Sequence, residues 1–255
     1  MIRALKMSVL MVLAACTAPS PFPDMEPGET GRVTRIIDGD ALVLDTGQTV
    51  RLVSIEAPPM YPEGGQPAPH AGESARQLED MALGRRVQLF YPGLTRDRYD
   101  RALAHVMTAD GAGPTLWLNR EMIEAGAAWV RLYPSTAAHG QTLLDLEEIA
   151  RSARQGLWAR SAYAVHDAGQ IDTSKRGFVF VKGQLGAPVP IDAEMRYPPA
   201  CLRTFEGSTL LLSVRRDAAT ACGLADGTEV MVRGRIREGA VDLSHPFHLQ
   251  HSETD

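Results

Sequence analysis

Apolar and polar residues alternate in short runs over the first third of the chain. Residues 32–37, 41–44 and 49–55 carry this period-two pattern and predict three strands. Asp38-Gly39-Asp40 and Asp45-Thr46-Gly47 separate them. Asp and Gly tolerate the backbone angles of tight turns, so the three runs predict a meander. Residues 56–70 are dense in Pro and Gly and predict a long surface loop.

The period then lengthens. Over 73–83, Ala75, Leu78 and Ala82 fall on one side of a helix and Gly84 stops it. Strand patterns return at 87–91 and 101–108. Two more helices follow: 116–125, ended by Gly126, and 142–155, ended by Gly156, with Leu143, Leu146, Ile149, Ala150 and Ala153 as its apolar stripe. Five strands, a helix between the third and fourth, and two closing helices predict a small closed barrel with flanking helices over residues 31–161. Residues 162–176 are small and polar and read as a linker. Beyond them, strand patterns at 178–182, 209–215, 229–236 and 241–243 predict a second, all-β domain over 177–251.

The N-terminus has a different character. Arg3 and Lys6 precede an apolar run over 8–15 that is too short for a permanent membrane span. The run ends in Leu13-Ala14-Ala15-Cys16, which resembles a bacterial lipobox. That resemblance implies cleavage after residue 15 and lipidation of Cys16; the alternative is an ordinary cleaved signal with Cys16 incidental. Residues 16–30, rich in Pro and Ser, then read as a lipidated tether. Thr17-Ala18 lacks the aspartate of an inner-membrane retention signal, which points to the outer membrane.

Export changes two further readings. The chain of 255 residues has a formal charge of −5; without the two cations of residues 1–15 it stands at −7. Tight, sequence-independent binding to duplex backbones needs basic patches, and an acidic chain argues against it. With Cys16 lipidated, Cys201 and Cys222 remain, and an oxidising compartment favours a disulfide between them over two buried thiols.

Six strings in the central part resemble the thermonuclease, or staphylococcal-nuclease-like, family. They are residues 37–40, 51–58, 72–75, 97–104, 124–129 and 153–158, in the family's order and over about half of the chain. The resemblance implies an OB-fold five-stranded barrel with three helices. Val232-Arg233-Gly234-Arg235-Ile236 and Leu243-Ser244-His245-Pro246 resemble the OB-like module that follows this domain in exported relatives.

The family's chemistry is metal-assisted phosphodiester hydrolysis, which needs charge on the phosphoryl oxygens and an activated water. The resemblance implies calcium held by Asp40, by Glu56 where the family has aspartate, and by the Ala57 carbonyl. It gives phosphate binding to Arg51 and Arg101, whose planar forks match phosphate oxygens. The residue-level alternatives are a turn aspartate, an exposed strand-end glutamate, and arginines paired with Asp97 or Asp100. Alternation along one strand puts Arg51 and Glu56 on opposite faces, so their convergence requires a bend near Ala57.

Two positions depart from the family. Pro59 stands where the water-activating glutamate belongs, and proline cannot deprotonate water; general-base catalysis is worth about 10² to 10⁴ in rate. Glu63 in the same loop is the candidate substitute. Asp100 stands where the family prefers glycine. Two functions therefore compete: an exported calcium-dependent nuclease acting on nucleic acid, single strands preferred, and a catalytically inactive OB-fold binding lipoprotein of the envelope.

Other features carry plainer readings. His245, His248 and His251 are too scattered along a strand for a metal site. Trp117, Trp129 and Trp158 read as core. Arg233, Arg235 and Arg237 alternate along one strand, either as a basic stripe for single strands or as a solvated face.

Overall fold

In the first barrel, every second side chain points inward. The computed structural model describes residues 20–62, 65–110, 116–174, 177–192 and 194–251. β1 (Glu26–Asp38), β2 (Ala41–Leu44) and β3 (Thr49–Leu52) form the meander, followed by the two-residue β4 (Ile55–Glu56). α1 (Ala71–Ala82) leads into β5 (Arg86–Tyr91) and β6 (Ala102–Thr108). The barrel closes in the order β1-β2-β3-β6-β5, with β3 and β6 parallel. Val33, Leu42, Leu44, Val50, Leu52, Val87, Leu89 and Val106 fill its interior. Each such side chain contributes roughly 1.5–3 kcal/mol by leaving water. α2 (Leu118–Glu124), β7 (Trp129–Val130) and α3 (Gly140–Ser152) pack outside it, with α3 carrying Leu143 and Leu144 into the same core.

The rest of the chain repeats the design. β8 (Val165–Asp167) is followed by β9 (Gly177–Val189), β10 (Cys201–Phe205), β11 (Leu211–Val214), β12 (Glu229–Arg237), β13 (Ala240–Leu243) and β14 (Leu249–His251). Pairing of β12 with β9 closes a second barrel in the order β9-β10-β11-β13-β12. Its third and fifth strands are again parallel. Between its third and fourth strands lies a 3-10 segment, Arg216–Gly223, where the first barrel has α1. The fold is mainly β with flanking helices: an OB-like barrel followed by a second OB-like barrel. Cys201 and Cys222 are joined by a disulfide that ties β10 to the 3-10 segment.

Several features differ from the sequence pattern. The helix read over 142–155 is α3, which ends at Ser152, and its buried face takes in Leu144 while Ile149, read as part of the stripe, is 67% exposed. β1 begins at Glu26, inside the stretch read as a tether, because Phe22 and Met25 are buried against Phe90 and Met107 and draw the chain onto β5. The stretch read as a linker contains β8, which pairs with β9, and Ala168, which enters the second core. β10 escaped detection because an inward position is Arg203. Buried there, its guanidinium donates to the carbonyls of Gly186 and Leu224 and to Asp226.

The barrels are joined by specific contacts. Trp129, Trp158 and Phe180 share a small core, with Phe178 stacked on Trp129. Arg233 of β12 donates to both carboxylate oxygens of Glu147 on α3, at 2.6 and 2.8 Å, with both side chains almost wholly buried. The Leu132 amide donates to Nε2 of His248 at 2.9 Å.

Candidate functional site

The β1–β2 turn places the first acidic residue. Gly39 is required there: a Cβ would come within 2.7 Å of both the Ala57 and Ser74 Cβ atoms. That close approach sets Asp40 beside the chain leaving β4. Its Oδ2 accepts from the Ala57 amide at 2.8 Å, and its Oδ1 accepts from Arg51 Nη1 at 3.0 Å. Arg51 arrives through the β2–β3 register, opposite Ala41. Asp40 is 2% exposed. Burial pushes its carboxyl up to about 7, against the pull of Arg51, and Asp38 and Glu56 add to the rise. Asp40 in turn pushes the Arg51 guanidinium up.

The bend that alternation demands lies at Ser54, ahead of Ala57. Its φ of 64° turns the chain out of the barrel, and its buried hydroxyl donates to the Thr136 carbonyl at 2.7 Å. β4 then pairs with β7 instead of continuing β3, with Glu56 opposite Trp129. Glu56 is thereby buried, not the exposed strand-end charge of the plainer reading. Its Oε2 accepts from Arg131, just past β7. Its Oε1 accepts from Arg235 Nη2 at 2.5 Å, from β12 of the second barrel.

This donor set does not fit calcium. The ion takes six to eight oxygens. Here three of the four carboxylate oxygens of Asp40 and Glu56 accept from guanidiniums, and the fourth accepts from an amide. The link between Ala57 and Asp40 runs through the Ala57 amide. Among the described residues, no cluster of three or more His, Cys, Asp or Glu is placed to hold a metal.

Residues 49–160 match the staphylococcal nuclease homologue family. This segment is a staphylococcal-nuclease-like domain. The thermonuclease of Staphylococcus intermedius is 24% identical over 158 residues, 60% of this chain and 91% of the relative. That of Staphylococcus hyicus is 23% identical over 139 residues, 51% of this chain and 76% of the relative. Arg51, Glu56, Ala57, Pro59 and Arg101 lie within the matched segment; Asp40 precedes it.

Among the described residues, Arg101, Asp100 and Pro59 are not among the hydrogen-bond or ion-pair partners of Asp40 and Glu56. Parallel pairing sets Arg51 opposite Leu103, so alternation puts Arg101 on the same outer face. Arg101 is engaged by Asp97: its Nε and Nη2 lie 2.7 and 2.6 Å from Oδ2, and its amide donates to Oδ1. Asp100 has a φ of 61°, which explains a preference for glycine there. Its side chain faces solvent, nearest to Arg96, and does not hold Arg101. Pro59 is exposed, and its carbonyl accepts from the Ala68 amide across the loop. Glu63 and Cys16 lie outside the described residues.

Two residues of the site escaped the sequence: Arg131 and the site role of Arg235. Nothing local marks Arg131. Arg235 was visible only as one member of an alternating stripe. His248, discounted as a metal ligand, is an acceptor for a backbone amide, and burial holds it down at about 2.

Proposed function

We infer that this chain is an exported binding protein of the cell envelope, whose nuclease-like domain has given up hydrolysis and whose ligand is nucleic acid. The observation that carries this reading is Glu56, closed from one side by Arg131 and from the other by Arg235 of the second barrel. Metal-assisted hydrolysis needs those oxygens free, and Pro59 supplies no base in their place. Export is supported by the charged and then apolar N-terminus. The Cys201–Cys222 bridge suits an oxidising compartment. Lipidation at Cys16 anchors the protein to a membrane, the outer membrane by the residues that follow it.

A second reading is calcium-dependent phosphodiester hydrolysis, with Asp40 and Glu56 as ligands, Arg51 and Arg101 on the phosphate and Glu63 as base. One observation favours it: Arg51 and Arg101 share an outer barrel face within the family-matched segment. A single assay separates the two. Single-stranded DNA is incubated with the chain in calcium and in chelator, beside Arg51→Ala and Arg101→Ala variants. No product above the variants' background is the expected result. Calcium-dependent cleavage that disappears in both variants establishes hydrolysis, and Glu63 becomes the next residue to change.

A further inference from the structure

The second barrel brings a set of cations to the first that the nuclease-like site does not use. A cleft of about 750 Å³ opens where the chain past β7 faces β12 and the segment before β10. Six arginines line it against two aspartates. Their charges are unequally spent. Arg215 is paired with Asp242 at 2.5 and 3.2 Å. Arg131 and Arg235 divide the single charge of Glu56 beneath the cleft. Arg196, Arg216 and Arg237 are exposed, and among the described residues no carboxylate forms an ion pair with them. A locally cationic surface thus sits on a chain whose formal charge is −5.

Flat aromatic faces accompany these cations. Tyr133 is 44% exposed and Tyr197 is 69% exposed, on opposite barrels. The Arg131 guanidinium lies 5.0 Å from the Tyr133 ring centroid, and that of Arg196 lies 5.3 Å from Tyr197. A tyrosine left this open beside an arginine offers a stacking face with a cation already in place for an adjoining phosphate.

We propose that this interdomain cleft binds single-stranded nucleic acid, with Arg196, Arg216 and Arg237 on phosphates and Tyr133 and Tyr197 stacked on bases. The proposal rests on the binding reading above and names its site. A duplex keeps its base faces stacked and would reach only the arginines. An acidic peptide would likewise leave both rings unused. The strip along β12 gives the site its geometry. Alternation puts Arg233, Arg235 and Arg237 on one face; the first is buried on Glu147, the second closes Glu56, and the third emerges in the cleft.

The test is fluorescence anisotropy with the full chain and a labelled oligothymidine of about 15 nucleotides. It is run in chelator, where calcium-dependent hydrolysis is silent. Cleavage in calcium therefore bears on the reading of the nuclease-like domain, and binding in chelator bears on the cleft. For single strands, log affinity falls with log salt at about 0.7 per phosphate contact. The triple charge reversal Arg196→Glu, Arg216→Glu, Arg237→Glu should therefore lower the slope by about 2. Tyr133→Ala and Tyr197→Ala should each weaken binding at least about fivefold, with the slope unchanged. All the replaced side chains are at least partly exposed, and an unaltered thermal midpoint verifies the fold. Three results would overturn the proposal. One is duplex or oligoglutamate binding as tight as the oligothymidine. Another is tyrosine variants that bind like the parent. The third is binding that survives the triple reversal but disappears in Arg101→Ala, which would move the ligand to the nuclease-like site.

Discussion

Glu56→Gln separates an ion-pair role for this residue from a metal-ligand role. In the structure Glu56 neutralises two guanidiniums, Arg131 with 15% of its side chain exposed and Arg235 with 38%. Removing one partner of a buried pair costs about 3–5 kcal/mol, because the other charge is left without compensation. Arg235 reaches solvent, and screening lowers its share. The expected loss is about 2–4 kcal/mol in the metal-free protein. If Glu56 instead served calcium, the metal-free protein would hold it against Asp38 and Asp40 as a repulsive acidic group. The glutamine would then be neutral or stabilising without the ion. Calcium itself gives a second handle: a ligand at 100 times its Kd stabilises the folded state by about 2.7 kcal/mol. Urea unfolding of parent and variant, in chelator and in millimolar calcium, reads both quantities. The expected outcome is a parent indifferent to calcium and a variant destabilised equally in both conditions. A parent stabilised by calcium, with that stabilisation lost in Glu56→Gln, would refute the argument and restore the metal site.

Arg233→Met should destabilise by about 3–5 kcal/mol. Glu147→Leu should cost at least as much, since Glu147 also accepts the Val130 amide; the double variant should lose less than the sum, and additive losses in a double-mutant cycle would contradict the pair. Replacing Cys201 and Cys222 together by Ser should cost about 3 kcal/mol for a bridge spanning 21 residues, read as faster amide exchange in the second barrel. Acid sensitivity has a defined sign. Burial holds His248 at about 2 and His105 at about 3, so each binds a proton only on unfolding between its folded value and about 6.5, and stability is lost as the pH is lowered through that window. Asp40, raised to about 7, holds a proton in the folded state between about 3.8 and 7 and opposes the loss. Between pH 4.5 and 6.5 the stability slope should therefore flatten by about 1.36 kcal/mol per pH unit in His248→Gln and steepen by as much in Asp40→Asn, measured by urea unfolding across that range.

The barrel strands and helices were legible because each obeys a local rule. Leu42 and Leu44 alternate, Ala75, Leu78 and Ala82 recur at helical spacing, and Gly84 and Gly126 follow the ends of their helices; α3 instead ends at Ser152, with Arg154 taking the left-handed turn ahead of Gly156. Legibility ended where a local rule was overridden by a distant partner. Phe22 and Met25 look like stray apolar residues in a tether until Phe90 and Met107 arrive to bury them. Arg203 breaks the strand pattern of β10 because its inward position is satisfied by carbonyls and Asp226 rather than by apolar contact. Ser54 gives no sign of its left-handed turn, since the residue that favours such a turn is glycine. The acidic positions were readable as types; their electrostatic state was not. The two partners of Glu56 come from 75 and 179 residues away in the chain.

The stripe on β12 shows what this distance means for function. Read locally, Arg233, Arg235 and Arg237 are equivalent, and a solvated face accounts for all three. Packing makes them unlike. Arg233 sits against Glu147 with almost no solvent, where an unpaired charge would be prohibitive, so this position serves cohesion between the barrels. Arg235 stands at the rim and pairs with Glu56. Arg237 lies in the open with no carboxylate paired to it among the described residues. One strand thus passes from structural cation, to partner of Glu56, to a cation with no carboxylate paired to it among the described residues, over two dipeptide steps. On the binding reading, Arg235 closes an acid that metal-assisted hydrolysis would need free, and the same strand leaves positive charge in the cleft beside two exposed tyrosines. On the binding reading proposed above, an acid closed to metal and a cationic cleft are two consequences of the same docking between the barrels.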